Sequence, residues 1–201
     1  GRIQFLVVSL ILTGFVAFGQ NFIGKWAGRE YMASDAYLCG VLLFAANLVP
    51  GVQYLGISIQ QAKNMHKFRS ILYLILCGVN IAISIPLSRV YGPLGAAIGT
   101  FTVTVIGNGF LMNIYYQKRI HLDMRYFWRQ ILSMCRGLVV PLIAGTLIYL
   151  YCDTSTWTRM LGYGVLYVVL FGASMWLFGM NDYERNLILR PVTRIFYRHS
   201  A

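Results

Sequence analysis

The sequence predicts an all-α, polytopic transmembrane helix bundle with about six spanning helices, and three observations lead there. Of 201 residues, 58% are hydrophobic and only 11% charged, where soluble domains run at roughly 25% charged, so there is too little charge to cover a soluble core. The mean hydropathy is +0.62. The apolar residues also gather into six stretches, each near the roughly 20 residues a helix needs to cross the hydrocarbon layer. The same composition excludes disorder, which needs low hydrophobicity and many charges. Four cysteines, Cys39, Cys77, Cys135 and Cys152, form no CxxC pair, so neither a zinc site nor a disulfide framework is indicated.

In chain order, residues 3–23 form the first expected span. The second, 36–60, contains Pro50, and the third, 70–90, contains Pro86. After the turn Tyr91-Gly92-Pro93 comes the fourth, 94–116, with Gly95 and Gly99 spaced as a GxxxG close-packing signal. The fifth, 131–151, contains Pro141, and the sixth is 160–180. Each internal proline frees a carbonyl and can kink its helix, which fits a protein that rocks between states. Connections are short, so neighbouring helices are expected to be antiparallel. Residues 1–180 are thus one transmembrane helical region and 181–201 a basic tail. In that tail Arg190, Arg194 and Arg198 alternate with Leu189, Val192, Ile195 and Phe196, a pattern for a helix lying on the inner surface. The chain begins at Gly1 without a methionine or a signal peptide's h-region, so it is expected to be an N-terminally truncated piece.

Lysine and arginine set the orientation. Lys63, Lys67 and Arg69 lie in one set of connections with Lys118, Arg119, Arg125 and Arg129, and the tail adds Arg185, Arg190, Arg194 and Arg198. The opposite set holds only Lys25, Arg29, Arg89 and Arg159. With Arg2 and Arg136 on the richer side the alternation has no exception, and both ends are expected to be cytoplasmic. The net charge of +11 then reports this bias rather than nucleic-acid binding. Tyr126 and Trp128 beside Arg125 read as interface anchors.

A helix facing only lipid gains nothing from buried amides. Yet Asn47, Tyr54, Ser58 and Gln61 fall within about 60° of one another on the second helix at 100° per residue. Tyr73, Cys77, Asn80 and Ser84 do so on the third, while the fourth offers Thr100, Thr104 and Asn108, with Gly107 beside them. These faces either surround a hydrated path for substrate or tie the helices together by hydrogen bonds. Arg136, inside the fifth helix, either snorkels to headgroups or touches an anionic substrate headgroup. Lys63, Lys67 and Arg69 form a basic turn that either anchors the chain or meets a phosphate headgroup from the inner leaflet.

Catalysis is poorly supported. All six carboxylates, Glu30, Asp35, Asp123, Asp153, Asp182 and Glu184, lie in connections or at helix ends, so no proton relay or intramembrane cation site is visible. His66, His121 and His199 sit in polar segments. No catalytic residue, metal ligand or cofactor is therefore assigned.

The chain resembles the C-terminal part of bacterial polysaccharide transporters, the Wzx-like oligosaccharide flippases of the MATE-like (MOP) exporter superfamily. The resemblance is carried by Gly1-Arg2-Ile3-Gln4-Phe5, Phe22-Ile23-Gly24-Lys25-Trp26-Ala27-Gly28, Gln61-Ala62-Lys63-Asn64 with His66-Lys67-Phe68-Arg69-Ser70, and Ser84-Ile85-Pro86-Leu87. It continues through Tyr91-Gly92, Gly95-Ala96-Ala97-Ile98-Gly99-Thr100, Met112-Asn113-Ile114-Tyr115-Tyr116, and Leu122-Asp123 before Phe127-Trp128. It covers residues 1–130 and thins beyond them. It implies part of a two-lobe transporter that moves lipid-linked, undecaprenyl-pyrophosphate-type oligosaccharide across the bacterial inner membrane for O-antigen, capsule or exopolysaccharide assembly. The implied partners are that substrate, the bilayer and other glycan-assembly membrane proteins, with no nucleic acid. The cavity cations expected of the family are not evident at mid-membrane here.

Three other functions compete. A MATE-type drug or cation antiporter favours an embedded carboxylate, which is not seen. A membrane enzyme of glycan assembly calls for a large outer loop or an embedded catalytic residue, and neither is present. A non-catalytic membrane scaffold of glycan assembly is separated by the lack of any substrate-dependent stabilisation.

Overall fold

A computed structural model describes residues 1–28, 35–65, 67–154 and 156–187. The expected surface helix around Arg190, Arg194 and Arg198 lies outside the described residues, as do Arg29, Glu30, His66 and His199. Among the described residues the chain is helical without strands. We number α1 Arg2–Trp26, α2 Ala36–Val52, α3 Tyr54–Ala62, α4 Lys67–Tyr91, α5 Pro93–Ile120, α6 Met124–Tyr151 and α7 Trp157–Gly179. Five are long and apolar enough to cross a membrane by themselves, and the bent pair α2–α3 brings the number to six if its two helices form one span. The outward faces match: Ile71, Leu74, Ile75, Ile81 and Ile85 of α4 are bare, which suits hydrocarbon and not water. The chain is a multi-pass membrane protein.

The helices pack in the order α4–α5–α2–α1–α6–α7, with α1 also touching α7. Phe5, Val52, Ile131, Met134, Phe171 and Met175 make a core where α1, α2, α6 and α7 meet. Leu72, Leu76, Val103, Met112, Tyr116, Ile120 and Met124 make a second core between α4, α5 and the start of α6. Ala17, Ile148 and Tyr167 make a third toward the opposite end. Side chains join the ends as antiparallel neighbours require. Lys63 Nζ donates to the Ile120 carbonyl, while Asn21 Nδ2 donates to Thr154 Oγ1 at the far end (2.8 Å). We call the first the basic end.

Three departures from the expected spans have identifiable causes. The second span, read as one helix over 36–60, is broken. Pro50 has no N–H for its helix, and three residues later Gln53 leaves helical geometry (φ −86°, ψ 7°), bending α3 from α2 by 43°. Gln53 is buried, and its Nε2 donates to Asn113 Oδ1 (2.7 Å), pinning the bend to α5. The fifth span starts at Met124, not 131, because Asp123 caps it by accepting from the Tyr126 N–H (3.0 Å). Its first three turns are amphipathic, with Met124, Ile131 and Met134 buried and Arg125 and Arg129 exposed. Asp123→Ala is expected to cost about 1 kcal/mol, read as a lower melting temperature in a fixed detergent. Third, α6 tightens to a 3₁₀ turn at Cys135–Leu138. Pro141 cannot donate to the Gly137 carbonyl four residues back, and Ser174 Oγ of α7 fills that vacancy (2.7 Å).

At the α4–α5 turn Gly92 has φ +59°, ψ −142°, a region open to glycine alone, and Pro93 starts α5. Within α5 the backbone widens to π geometry at Val105–Leu111 and again at Tyr116–Ile120.

Candidate functional site: a cavity at the basic end

A cavity of about 730 Å³ opens at the basic end, between α3 and the first turns of α4. Tyr54, Ile57, Gln60, Gln61, Arg69, Ser70 and Tyr73 line it. The break at Gln53 creates this space, since it swings α3 away from the line of α2. Arg69, in the first turn of α4, stacks over the Tyr73 ring, 4.8 Å from its centroid. Its Nη2 donates to Tyr73 Oη (2.8 Å), and Tyr73 Oη donates in turn to Asn108 Oδ1 (2.7 Å). Asn108 Nδ2 donates to the Thr104 carbonyl (3.3 Å) inside the widened turn of α5. This relay holds the guanidinium in place from one side. Its Nη1 is buried without a partner, and Arg69 has no ion pair among the described residues. A guanidinium is always charged and offers five N–H donors, so a partly buried one without a counter-charge makes a strong anion acceptor.

The expected site residues separate into groups. Tyr54, Gln61, Arg69 and Tyr73 come together on the cavity. Asn80, Ser84 and Thr100 instead turn toward each other between α4 and α5. Ser84 Oγ donates to Asn80 Oδ1 (2.8 Å), and Asn80 Nδ2 donates to Thr100 Oγ1 (3.4 Å). Together with Tyr73 and Asn108 they lace the two helices, so of the two roles open to these stripes the structure displays the interhelical bond. Asn47 and Ser58 are exposed and bonded within their own helices, to the Leu43 carbonyl (2.8 Å) and the Tyr54 carbonyl (3.3 Å). Cys77 is exposed on α4. Lys63 is tied to the Ile120 carbonyl, and Lys67 is exposed at the start of α4. Arg136 sits away from the cavity on the outer face of α6, among the exposed Leu132, Val139, Val140 and Ile143. That apolar surround is the setting of a snorkelling arginine.

Four polar residues of consequence escaped the helical-stripe reading. Gln53 and Gln60 lie two turns apart on the buried side of the second span, at 4% and 1% exposure. Amides at heptad spacing in an apolar run were the available signal. Arg2 and Glu184 are the others. Arg2 donates to both Glu184 carboxylate oxygens, to Gln130 Oε1 (2.9 Å), the Gly179 carbonyl (2.9 Å) and Asn181 Oδ1 (2.7 Å). This knot locks α1, α6 and the end of α7 together. Burial pushes the Glu184 carboxyl up, but donation from Arg2 and the Asn181 N–H, with the Arg2 charge, more than reverses it and leaves it below its ordinary value. No local pattern announces a pair so far apart in the chain.

Among the described residues no group of three or more His, Cys, Asp or Glu side chains is arranged to hold a metal ion. No protein-family model, no curated protein and no solved structure matches the chain.

Proposed function

We propose that this protein is a carrier, not an enzyme, that moves lipid-linked oligosaccharide of the undecaprenyl-pyrophosphate type from the inner to the outer leaflet of the bacterial inner membrane. The product would serve O-antigen, capsule or exopolysaccharide assembly, and the basic end would face the cytoplasm. One observation carries the reading: an arginine without a carboxylate partner among the described residues lines an open, polar-walled cavity at the basic end of an otherwise apolar bundle. Such a cavity suits a phosphate headgroup entering from the leaflet on that side. Its tyrosine and amide walls suit sugar hydroxyls, and the bare apolar face of α4 suits a prenyl chain. The bend at Gln53 supplies a hinge of the kind alternating access uses.

Deletion of the gene is expected to leave lipid-linked oligosaccharide on the cytoplasmic side, with wild type restoring export. Arg69→Gln should restore it poorly at equal expression, by about tenfold or more, since it removes the cavity's charge. Arg136→Ala, outside the cavity, should restore it fully. Normal surface glycan with altered drug tolerance would replace this reading with the antiporter.

A further inference from the structure

The outer face of α6 changes character along its length. Arg125, Arg129, Leu132 and Arg136 follow one another in steps of four, three and four residues, and all four are exposed. That spacing stacks them along one side of a helix. The other side is the packed one, with Met124, Ile131, Met134 and Ile148 buried. Among the described residues none of the three arginines has a carboxylate partner. Toward the far end the same outer face continues in Val139, Ile143 and Leu150, 54%, 56% and 63% exposed. The stripe is therefore cationic at one end and apolar at the other.

Depth decides what the cationic end meets. A hydrocarbon layer about 30 Å thick takes about 20 residues of helix. Counted back from Tyr151, where α6 ends, that places the layer's edge at the basic end near Leu132. Arg136 then lies about 6 Å inside the edge and Arg129 about 5 Å outside it. Both side chains are long enough to reach the edge, one from each side, and the phosphates of a leaflet lie there. A guanidinium in hydrocarbon is costly unless its charge is met, and phosphate oxygens match its forked donors. A zwitterionic headgroup already pairs its phosphate with its own ammonium group, so an anionic headgroup answers the arginines better.

We infer that the outer face of α6 binds one anionic phospholipid from the leaflet at the basic end. Its phosphate sits between Arg129 and Arg136, Arg125 adds attraction farther out, and an acyl chain lies along Val139, Ile143 and Leu150. The ligand class is a phosphate diester without a compensating cation on an apolar chain, as in phosphatidylglycerol. Free phosphate has the charge but nothing to cover the apolar stretch. This face is apart from the cavity between α3 and α4 and needs neither cargo nor movement, so it stands or falls independently of the carrier reading.

The test is native mass spectrometry of the full-length protein in a neutral detergent, reading the dissociation constant of the first bound lipid. Phosphatidylglycerol should bind about tenfold or more tightly than phosphatidylcholine of the same chains. Each basic side chain near an anionic headgroup supplies about a fivefold factor. Arg136→Gln should thus weaken phosphatidylglycerol about fivefold, and Arg129→Gln/Arg136→Gln about thirtyfold, with phosphatidylcholine unchanged. The charge-matched Lys118→Gln/Arg119→Gln, also exposed at the basic end, should stay within about threefold of wild type. Equal binding of the two lipids by the wild-type protein overturns the site without recourse to any variant. Equal losses in the two double variants overturn it in favour of diffuse attraction to the whole basic end. Millimolar inorganic phosphate should leave phosphatidylglycerol bound; full displacement would overturn the lipid assignment in favour of a free anion.

Discussion

Replacing Arg2 with alanine is expected to lower the unfolding free energy by about 3–5 kcal/mol, the cost of leaving a buried charge without its partner. The side chains of Arg2 and Glu184 are only 15% and 7% exposed. Removing the guanidinium strands the carboxylate and frees the Gly179 carbonyl and the Asn181 and Gln130 side chains at once. Three helical segments lose their common tie. The double variant Arg2→Met/Glu184→Leu should recover much of that loss, because replacing both members of a buried pair with apolar groups removes the stranded charge. Denaturant titrations of wild type and the two variants in one detergent provide the measurement; a double variant no more stable than Arg2→Ala would show that the charge is not what destabilises. The same knot predicts a pH dependence. Glu184 titrates below its ordinary value, so its contribution is complete above about pH 4.3, the ordinary glutamate value. It is lost as pH falls through the lower, folded value. Wild-type stability should fall on acidification below that point, and Glu184→Gln should flatten that fall.

The second large effect is expected at the α4–α5 crossing. A Cβ on Gly95 would lie 2.1 Å from the Leu87 carbonyl oxygen, and one on Gly99 would lie 2.4 Å from Ser84 Oγ. The first obstacle is backbone and the second a hydroxyl that can rotate. Gly95→Ala should therefore reach the upper part of the roughly 1–3 kcal/mol range for overpacking, and Gly99→Ala the lower. Separation of the helices would also stretch the Asn80–Thr100 bond, already 3.4 Å, so the loss extends to the polar lacing. Gly78 on α4 has nothing within 4 Å of a built Cβ. Gly78→Ala should stabilise, by about 0.5–1 kcal/mol, through the smaller entropy lost on forming helix. Melting temperatures in one detergent test the order Gly78→Ala above wild type, wild type above Gly99→Ala, and Gly95→Ala lowest. Equal losses at 95 and 99 would show that the helices give way freely at Leu87.

Much of the helix layout was legible because a bilayer constrains sequence so strongly. A span needs an apolar run of set length, and its backbone bonds must close within the helix. Composition and run length therefore placed the five long spans and the bent pair α2–α3. The Gly95–Gly99 spacing marked a contact that the structure contains. The break at Gln53 was less legible, since Pro50 signals a possible kink while the bend depends on Asn113 of another helix holding Gln53. The start of α6 was missed because Arg125 and Arg129 interrupt the apolar run, although the Asp123 cap was there to be read.

The candidate site divides along the same line. Residue type and helical phase were enough to bring out Tyr54, Gln61, Arg69 and Tyr73. They also brought out Asn80, Ser84 and Thr100, for periodicity reports which side of a helix is polar and not what that side meets. The sequence alone determined that the chain is an α-helical, multi-pass membrane protein with charge concentrated at alternate connections, because hydrocarbon imposes those rules on each segment separately. Only the tertiary structure decided which polar faces close on one another and which line a cavity, and that Arg2 is the tie of three helices. Those outcomes depend on the crossing of helices distant in the chain, and a buried hydrogen bond or charge pair takes its value from a partner that no local pattern names.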